Sequence, residues 1–372
     1  MTPIDNRTEY LALLVSRQPL RPNRNTSWVK GVKAAIDWAA SYGYGVVSSI
    51  GMQTWELITA LAIDRHLPLK LVLPHDSDRT TQAICREIIS QFGIDSLRVS
   101  FVPPNDPVNS DDNPQTIRDR QVAALADMLV PVSIRSGGTM HVLVGEALKS
   151  GKKITREFDV GPSAKGDSFK VSIDETRLSP ELDELGSDYL IHWTRGINGP
   201  WPDERLIDLY REIVNAESWP RSALQTLMQI VNTRRILASS THMPGKVPTV
   251  SFSALPPREV IPLMRWRARY GFMSFEPYGV GIHRDVADRL GINKVLYHES
   301  GAKPAGGKSD KWRTQSVGKV TDWRGEGEYR CRGDVDLVSI PSDYIIIVCQ
   351  SKEEVEVLRS SMSYRIIPML ND

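Results

Sequence analysis

Three cysteines are all that the 372 residues contain, Cys85, Cys331 and Cys349, and no two of them stand at C-x-x-C spacing. That excludes a disulfide framework and a ribbon-type zinc site, and it points to reduced thiols in a cytoplasm. The seven histidines are scattered without ligand spacing, so no metal site is expected. No segment supplies the ~18 consecutive apolar residues of a membrane span. An excess of either charge is lacking as well: 46 Lys and Arg face 45 Asp and Glu, a formal net charge of +1. No global field therefore draws the chain to nucleic acid or to an anionic membrane. The first ten residues, MTPIDNRTEY, lack a basic stretch followed by an apolar one, so no secretory leader is expected and the localisation expected is cytoplasmic.

What is present is ordinary globular composition, 41% hydrophobic and 24% charged. At ~100–200 residues per domain, the length suggests two domains. Up to about residue 160, apolar runs alternate with stretches of helical periodicity. Strands are expected at 10–15, 45–49, 69–73, 97–102, 128–134 and 153–155, and helices at 29–42, 54–65, 78–93, 116–126 and 138–149. Such alternation implies an α/β fold, a Rossmann-like parallel sheet with helices on both faces. Residues 161–188 are rich in Gly, Ser, Pro and acidic groups and read as a linker, with one strand at 169–173. Residues 189–372 read as an α+β domain, with strands at 189–193, 248–252, 278–282, 294–297, 335–339 and 344–349. Its helices are expected at 203–215, 221–237, 257–269 and 352–361. Residues 103–114 and 302–320 have loop composition, the second that of a mobile loop.

A doubly wound sheet binds ligands outside the C-terminal ends of its strands. Three loops fall there: Ser16-Arg17, the stretch from Ser49 to Glu56, and Ser136-Gly137-Gly138-Thr139. Small residues ahead of a helix N-terminus let backbone N–H groups approach an anion. The candidate nucleotide-binding residues are Ser16, Arg17, Ser49, Gly51, Thr54, Glu56, Arg120, Ser136, Gly137, Gly138 and Thr139, with Arg118 an alternative to Arg120. Any one such loop alone reads better as a turn with an N-cap; three at corresponding strand ends favour a ligand. The segments "LLVSR", "GVVSSIGMQTWELITALA", "RDRQVAALADMLV" and "SGGTMHVLVGEAL" resemble the SLOG-type Rossmann superfamily of DprA and the LOG hydrolases. The resemblance implies binding of nucleotides, nucleotide-derived signals or single-stranded DNA. LOG hydrolases carry Gly-Gly-x-Gly-Thr-x-x-Glu; here the later glycine is missing and Glu146 lies further on. Binding is thus favoured over phosphoribohydrolase (N-glycosidase) chemistry by Glu56 or Glu146, which stays as an alternative.

Beyond residue 189, His192 ends an apolar strand and is followed by Thr194 and Arg195. Ser251 and Ser253 end another strand, Tyr278 opens a third, and Glu328 precedes a strand-like stretch, with Glu326 a competitor on the same face if the segment is extended. A His for a ribose, a Tyr for a base and a late Glu that stabilises positive charge as a glycosidic bond breaks make a coherent set. "VPTVSFSALPPREV", "YGVGIHRDVADRLGINKVLYHES" and "EYRCRGDVDLVSIPSDYIIIV" resemble the AbiGi-type abortive-infection family. More remotely, the order His-Trp-Thr, Ser-containing strand, late Glu resembles ADP-ribosyltransferases. That likeness implies NAD as cofactor, with His192, Tyr278 and Glu328 catalytic and Thr194, Arg195 and Ser251 binding NAD. Residues 308–332 interleave seven Lys and Arg with Trp312 and Trp323. They read either as a track for nucleic acid or as a solvated loop. Two function classes follow: a nucleotide-sensing anti-phage effector with an NAD-dependent ADP-ribosyltransferase-like domain, or a non-catalytic regulator that binds nucleotide or single-stranded nucleic acid. Whether the chain is an enzyme, and whether it is an oligomer, the residues leave open.

Overall fold

Apolar runs such as Leu11–Val15 can be buried on both faces only inside a sheet covered by helices. The computed structural model, which describes residues 8–76, 78–95, 97–105, 113–162, 173–241, 243–267, 272–299, 302, 308–317, 323–359 and 363–371, places them there. The chain divides into two units. Unit 1 is Met1–Gly166 with Asn198–Pro220; unit 2 is Asp167–Ile197 with Arg221–Asp372.

In unit 1, β1 (Tyr10–Val15), α1 (Ser27–Tyr42), β2 (Gly45–Ser49), α2 (Gln53–Asp64), β3 (Leu69–Val72), α3 (Thr81–Phe92), β4 (Val99–Val102), α4 (Pro114–Leu125), β5 (Met128–Ser133), α5 (Thr139–Lys149) and β6 (Lys153–Ile154) alternate. All pairings are parallel, in the order β4-β3-β2-β1-β5-β6. The winding reverses between β1 and β5, which puts a crevice at their C-terminal ends. The helix Leu206–Ile213 belongs to this unit, and its Ile207, Tyr210 and Ile213 join the same core as Trp28 and Trp55.

The last turn of α4 is closed by a lysine rather than by a glycine. Lys152 Nζ donates to the carbonyls of Ala123, Ala124 and Ala126 at 2.6, 3.1 and 2.6 Å. These are carbonyls that a helix end leaves without partners, and the ammonium also suits the negative end of the dipole. Lys152→Met is expected to lower the free energy of unfolding by about 1–3 kcal/mol, the scale of charge-assisted hydrogen bonds lost at a part-buried site, as read from urea unfolding.

Unit 2 contains β7 (Tyr189–Trp193), β8 (Arg235–Ile236), β9 (Thr249–Ser253), β10 (Trp266–Arg267), β11 (Phe272–Met273), β12 (Gly279–His283), β13 (Asn293–Lys294), β14 (Leu296–Glu299), β15 (Thr314–Val317), β16 (Glu328–Arg332), β17 (Val335–Asp336), β18 (Ile345–Cys349) and β19 (Arg365–Pro368). Seven of them form a mixed sheet in the order β13-β16-β9-β7-β12-β18-β19. Two cores cover its faces, one around Val250, Phe252, Val280 and Ile347, the other around Ile191, Trp193, Ile346 and Val348. Gly281 sits in a central strand because β18 lies against it: a Cβ there would meet Ile346 Cγ1 at 2.5 Å.

Several expectations are corrected. Residues 173–188 are not a linker: the turn Glu175–Arg177 and the helix Glu181–Leu185 pack Leu182 and Leu185 into the second core. The strand expected at 169–173 lies outside the described residues but for Ile173, as do residues 106–112 of the first loop. The helix expected at 257–269 stops at Val260, and a three-ten turn through Pro262 leads into β10; a proline inside that helix would lose a hydrogen bond and clash with the preceding turn. Residues 308–313 form a three-ten segment and β15 follows within the stretch read as loop. Cys85, Cys331 and Cys349 are free thiols. Among the described residues no helix is long and apolar enough to cross a membrane.

Candidate functional site

The seven-stranded sheet of unit 2 is seamed. β7 pairs along its length with β12, and β9 with β16, yet among the described residues β7 and β9 pair only at Ile191 opposite Ser253. Residues of both strands line a cavity of about 300 Å³. His192, Thr194, Arg195, Ser251 and Glu328 all line it. These five were singled out from three separate stretches of sequence, and the seam brings them together.

His192 bridges the gap. Its Nδ1 lies 2.8 Å from the Ser251 carbonyl oxygen, so the hydrogen bond assigns the proton to Nδ1 and leaves Nε2 as an acceptor. Burial pushes its pKa below the usual value, the Ser251 bond opposes this, and the charge of Arg195 adds to it. The ring is therefore neutral near pH 7. Thr194 is spent on the scaffold, its hydroxyl 3.2 Å from the carbonyls of Ala223 and Tyr278. Arg195 lines the same cavity with an exposed side chain.

Strand alternation places Ser251 and Ser253 on one face of β9, and antiparallel pairing sets Arg330 and Glu328 opposite them. Ser251 Oγ donates to Glu328 Oε1 at 2.9 Å. Arg330 donates from Nε to Glu328 Oε1 at 2.8 Å and from a terminal nitrogen to Oε2 at 3.1 Å. Glu328 does not precede a strand, as its sequence context suggested; it is the first residue of β16.

Glu326 reaches the same cavity by another route. The backbone is not extended there: Trp323–Glu326 is a three-ten turn, and Gly327 takes φ 57°, a left-handed conformation that favours glycine. Ser253 Oγ donates to the Glu326 carbonyl oxygen at 2.8 Å. The Glu326 carboxylate lies 3.3 Å from Arg267. Even so, burial pushes its pKa up to about 7; Arg267 opposes, the neighbouring charge of Glu328 adds, and Arg265 opposes.

Tyr278 is not brought to this cavity. It is 8% exposed within the first core, and its hydroxyl is hydrogen-bonded to Glu354 at 2.8 Å and Gln350 at 3.1 Å. Burial, then Glu354, holds the phenol far above its usual pKa. The residue ties β12 to the start of the helix Lys352–Arg359. Tyr278→Phe is expected to cost about 1 kcal/mol of stability for the lost hydrogen bond and to leave ligand affinity at the cavity unchanged, checked by thermal unfolding and calorimetry.

In unit 1 the expected residues divide. Ser16 and Arg135 meet across the switch point: the Arg135 N–H donates to Ser16 Oγ at 2.9 Å, and its guanidinium to the Arg17 carbonyl at 3.1 Å. The N-termini of α1, α2 and α5, preceded by Thr26, Met52 and Gly138, have no side-chain cap, whereas Thr80 caps α3 and Asn113 caps α4. Gly137 and Gly138 lead into α5, with Ser136 and Thr139 exposed beside them. Thr54 is 2% exposed and its hydroxyl lacks a hydrogen-bond partner. Ser49 is turned inward, donating to the Val72 carbonyl at 2.7 Å. Glu56 accepts from the Gly51 N–H at 3.0 Å and from the Tyr210 hydroxyl at 2.5 Å. Arg120 is exposed on α4, while Arg118, two residues earlier and so nearly opposite on the helix, is buried and donates to the Ile50 carbonyl at 3.0 Å. Of the cations in 308–332, Arg313 pairs with Asp310 and Arg330 with Glu328, while residues 318–322 lie outside the described residues.

No family model and no curated protein matches the chain. Solved structures similar to it include DNA processing protein A from Helicobacter pylori, described for its single-stranded DNA binding mode, at 13% identity over 41% of this chain and 67% of that one, TM-score 0.30. The DNA processing protein A of Streptococcus pneumoniae matches at 13% identity over 43% and 52%, TM-score 0.32, so the chain spans about half of that protein. The molybdenum cofactor carrier protein of Chlamydomonas reinhardtii matches at 15% identity over 40% and 75%, TM-score 0.26. All these matches fall in the N-terminal 40%.

Proposed function

We propose that unit 2 is an NAD-dependent ADP-ribosyltransferase-like catalyst and that unit 1 binds a nucleotide-type ligand without cleaving it. One observation carries the first part: His192, Ser251 and Glu328 are joined by hydrogen bonds around a single cavity with a second carboxyl, Glu326, at its wall. Breaking the bond between a ribose and nicotinamide develops positive charge on the sugar, and a fixed carboxylate beside it stabilises that charge. Glu328 fills that role. His192 Nε2, an acceptor in the tautomer its bond to Ser251 selects, accepts a hydrogen bond from a ribose hydroxyl. NAD would be held by His192, Arg195 and the strand edges of β7 and β9, and it supplies the labile glycosidic bond. Thr194 serves the scaffold instead.

The binding role of unit 1 rests on the uncapped N-termini of α1, α2 and α5 beside the β1/β5 crevice, where a phosphate would meet free N–H groups. Glu56 is the obvious acid or base for an N-glycosidase there, and both its oxygens are already engaged by Gly51 and Tyr210. On the sequence resemblance to abortive-infection proteins, we place this pair of activities in anti-phage defence.

The test is NAD consumption by the full chain, with protein, DNA and RNA offered as acceptors and a panel of nucleotides and single-stranded DNA as unit 1 ligands. Turnover that is weakened through a higher KM in His192→Ala supports the reading. Binding of nucleotide with no NAD turnover under any condition replaces it with a non-catalytic regulator.

A further inference from the structure

We propose that Arg330 is a positioning residue for the Glu328 carboxylate, held from behind by the stretch Trp312–Gln315. The proposal deepens the ribosyl-transfer reading and rests on it only where turnover is measured.

Arg330 is 3% exposed. Its fork grips both oxygens of Glu328, at 2.8 and 3.1 Å, and Ser251 adds a third donor at 2.9 Å. The far side of the guanidinium is fixed as well: it donates to the Trp312 carbonyl at 3.1 Å and to Gln315 Oε1 at 3.0 Å, and it lies 3.5 Å from the Thr314 carbonyl. A planar fork held on both sides fixes the plane of a carboxylate as well as its charge, which an ammonium cannot do. The carboxylate oxygens stay in one plane against the cavity instead of swinging through rotamers. Glu328 and Arg330 stand two positions apart on β16 and so on one face, which makes the pairing local. An alternative role is plain: Arg330 pins β15 to β16 and Glu328 is merely its counter-ion. The two roles predict different kinetics.

The experiment compares Arg330→Met, Arg330→Lys, Gln315→Ala, Glu328→Gln and the double variant Glu328→Gln/Arg330→Met in the full chain. Thermal unfolding needs no activity. Arg330→Met is expected to melt lower than the double variant, because it alone leaves a part-buried carboxylate without its cation; additive losses overturn the proposal. Where turnover of NAD is measured, Arg330→Met is expected to lose about 100-fold in kcat with KM within about threefold, the pattern of an interaction made in the transition state. Arg330→Lys is expected to recover about tenfold of that loss, and Gln315→Ala to lose a few-fold in kcat alone. A rise in KM at unchanged kcat, or a fully active Arg330→Met, overturns it. Should Arg330→Met not fold, Arg330→Lys and Gln315→Ala decide by the same kcat criterion. Coupled melting with a wild type that never consumes NAD leaves Arg330 as the holder of Glu328 and removes the ribosyl-transfer reading instead.

Discussion

Glu328→Gln is expected to lower NAD turnover about 10³-fold, the scale of removing a preorganised electrostatic partner from a transition state, while NAD binding changes by no more than a few-fold. Glutamine keeps the shape and can still accept the Ser251 hydroxyl, which lies 2.9 Å from Oε1 in the native chain. It cannot accept at both positions. Its amide nitrogen faces a guanidinium that also only donates, so the variant trades an ion pair for a donor–donor contact. Two effects therefore separate by measurement. The loss of negative charge acts on the sugar cation and appears in kcat. The mismatch with Arg330 acts on the fold and appears as a lower melting temperature, since breaking one side of a buried pair is costly. Glu328→Asp shifts the carboxylate by a methylene while keeping its charge and is expected to retain more turnover than glutamine. Turnover in Glu328→Gln within about threefold of wild type would remove Glu328 from the reaction.

The residues of this cavity differ in how far the sequence revealed them. Ser251 was legible because strand alternation sets it and Ser253 on one face, and the polar end of an otherwise apolar strand marks where the sheet meets solvent or ligand. His192 was legible for the same reason at the end of β7. Arg330 carries a signal that composition masks. Two residues from Glu328 on a strand it shares that residue's face, yet in the sequence it counted among the cations of a basic stretch. Tyr278 shows the opposite error. Alternation does put it on the face of Val280 and Ile282, with which it shares the first core. Only the position of Glu354 and Gln350, more than seventy residues further on, turns its hydroxyl away from the cavity, and no local pattern encodes that. Glu326 is placed by a three-ten turn, by the left-handed Gly327 that follows it and by the Ser253 hydroxyl on its carbonyl, which no period-two or helical pattern encodes.

The same division runs through the fold. Unit 1 was readable because parallel strands buried on both faces must be short apolar runs, and the helices between them must be amphipathic. The choice between Arg118 and Arg120 could have been made on that ground: helical spacing puts Arg118 with Gln121 and Val122, which are buried, and Arg120 with solvent. The return of Asn198–Pro220 to unit 1 was not readable. An amphipathic helix at Leu206–Ile213 announces that it buries a face, not which core receives it.

In the difference between wild type and Glu326→Gln, opposed trends in stability and turnover are expected around neutral pH. Its carboxyl titrates at about 7 in the folded chain against an ordinary 4.5. Between those values the folded state holds a proton that the unfolded state has released. Folding stability from this group is therefore complete below about pH 4.5 and declines as pH rises to about 7, beyond which it is constant; the full span is on the order of 3 kcal/mol. His192, whose pKa burial lowers, works the other way, since its contribution is lost as pH falls below its unfolded value, so the wild-type curve alone is a composite. The difference between wild type and Glu326→Gln isolates the carboxyl. The variant is expected to melt higher than wild type at pH 8 and nearly level with it at pH 4.5. Turnover should run against this. An ionised Glu326 beside the sugar can take a proton from an incoming acceptor, so wild-type rates should climb through about pH 7 and the variant should lack that limb. Equal slopes of melting temperature against pH in the two proteins would show that the folded chain does not hold Glu326 protonated, and a rising limb that persists in Glu326→Gln would show that Glu326 is not the base.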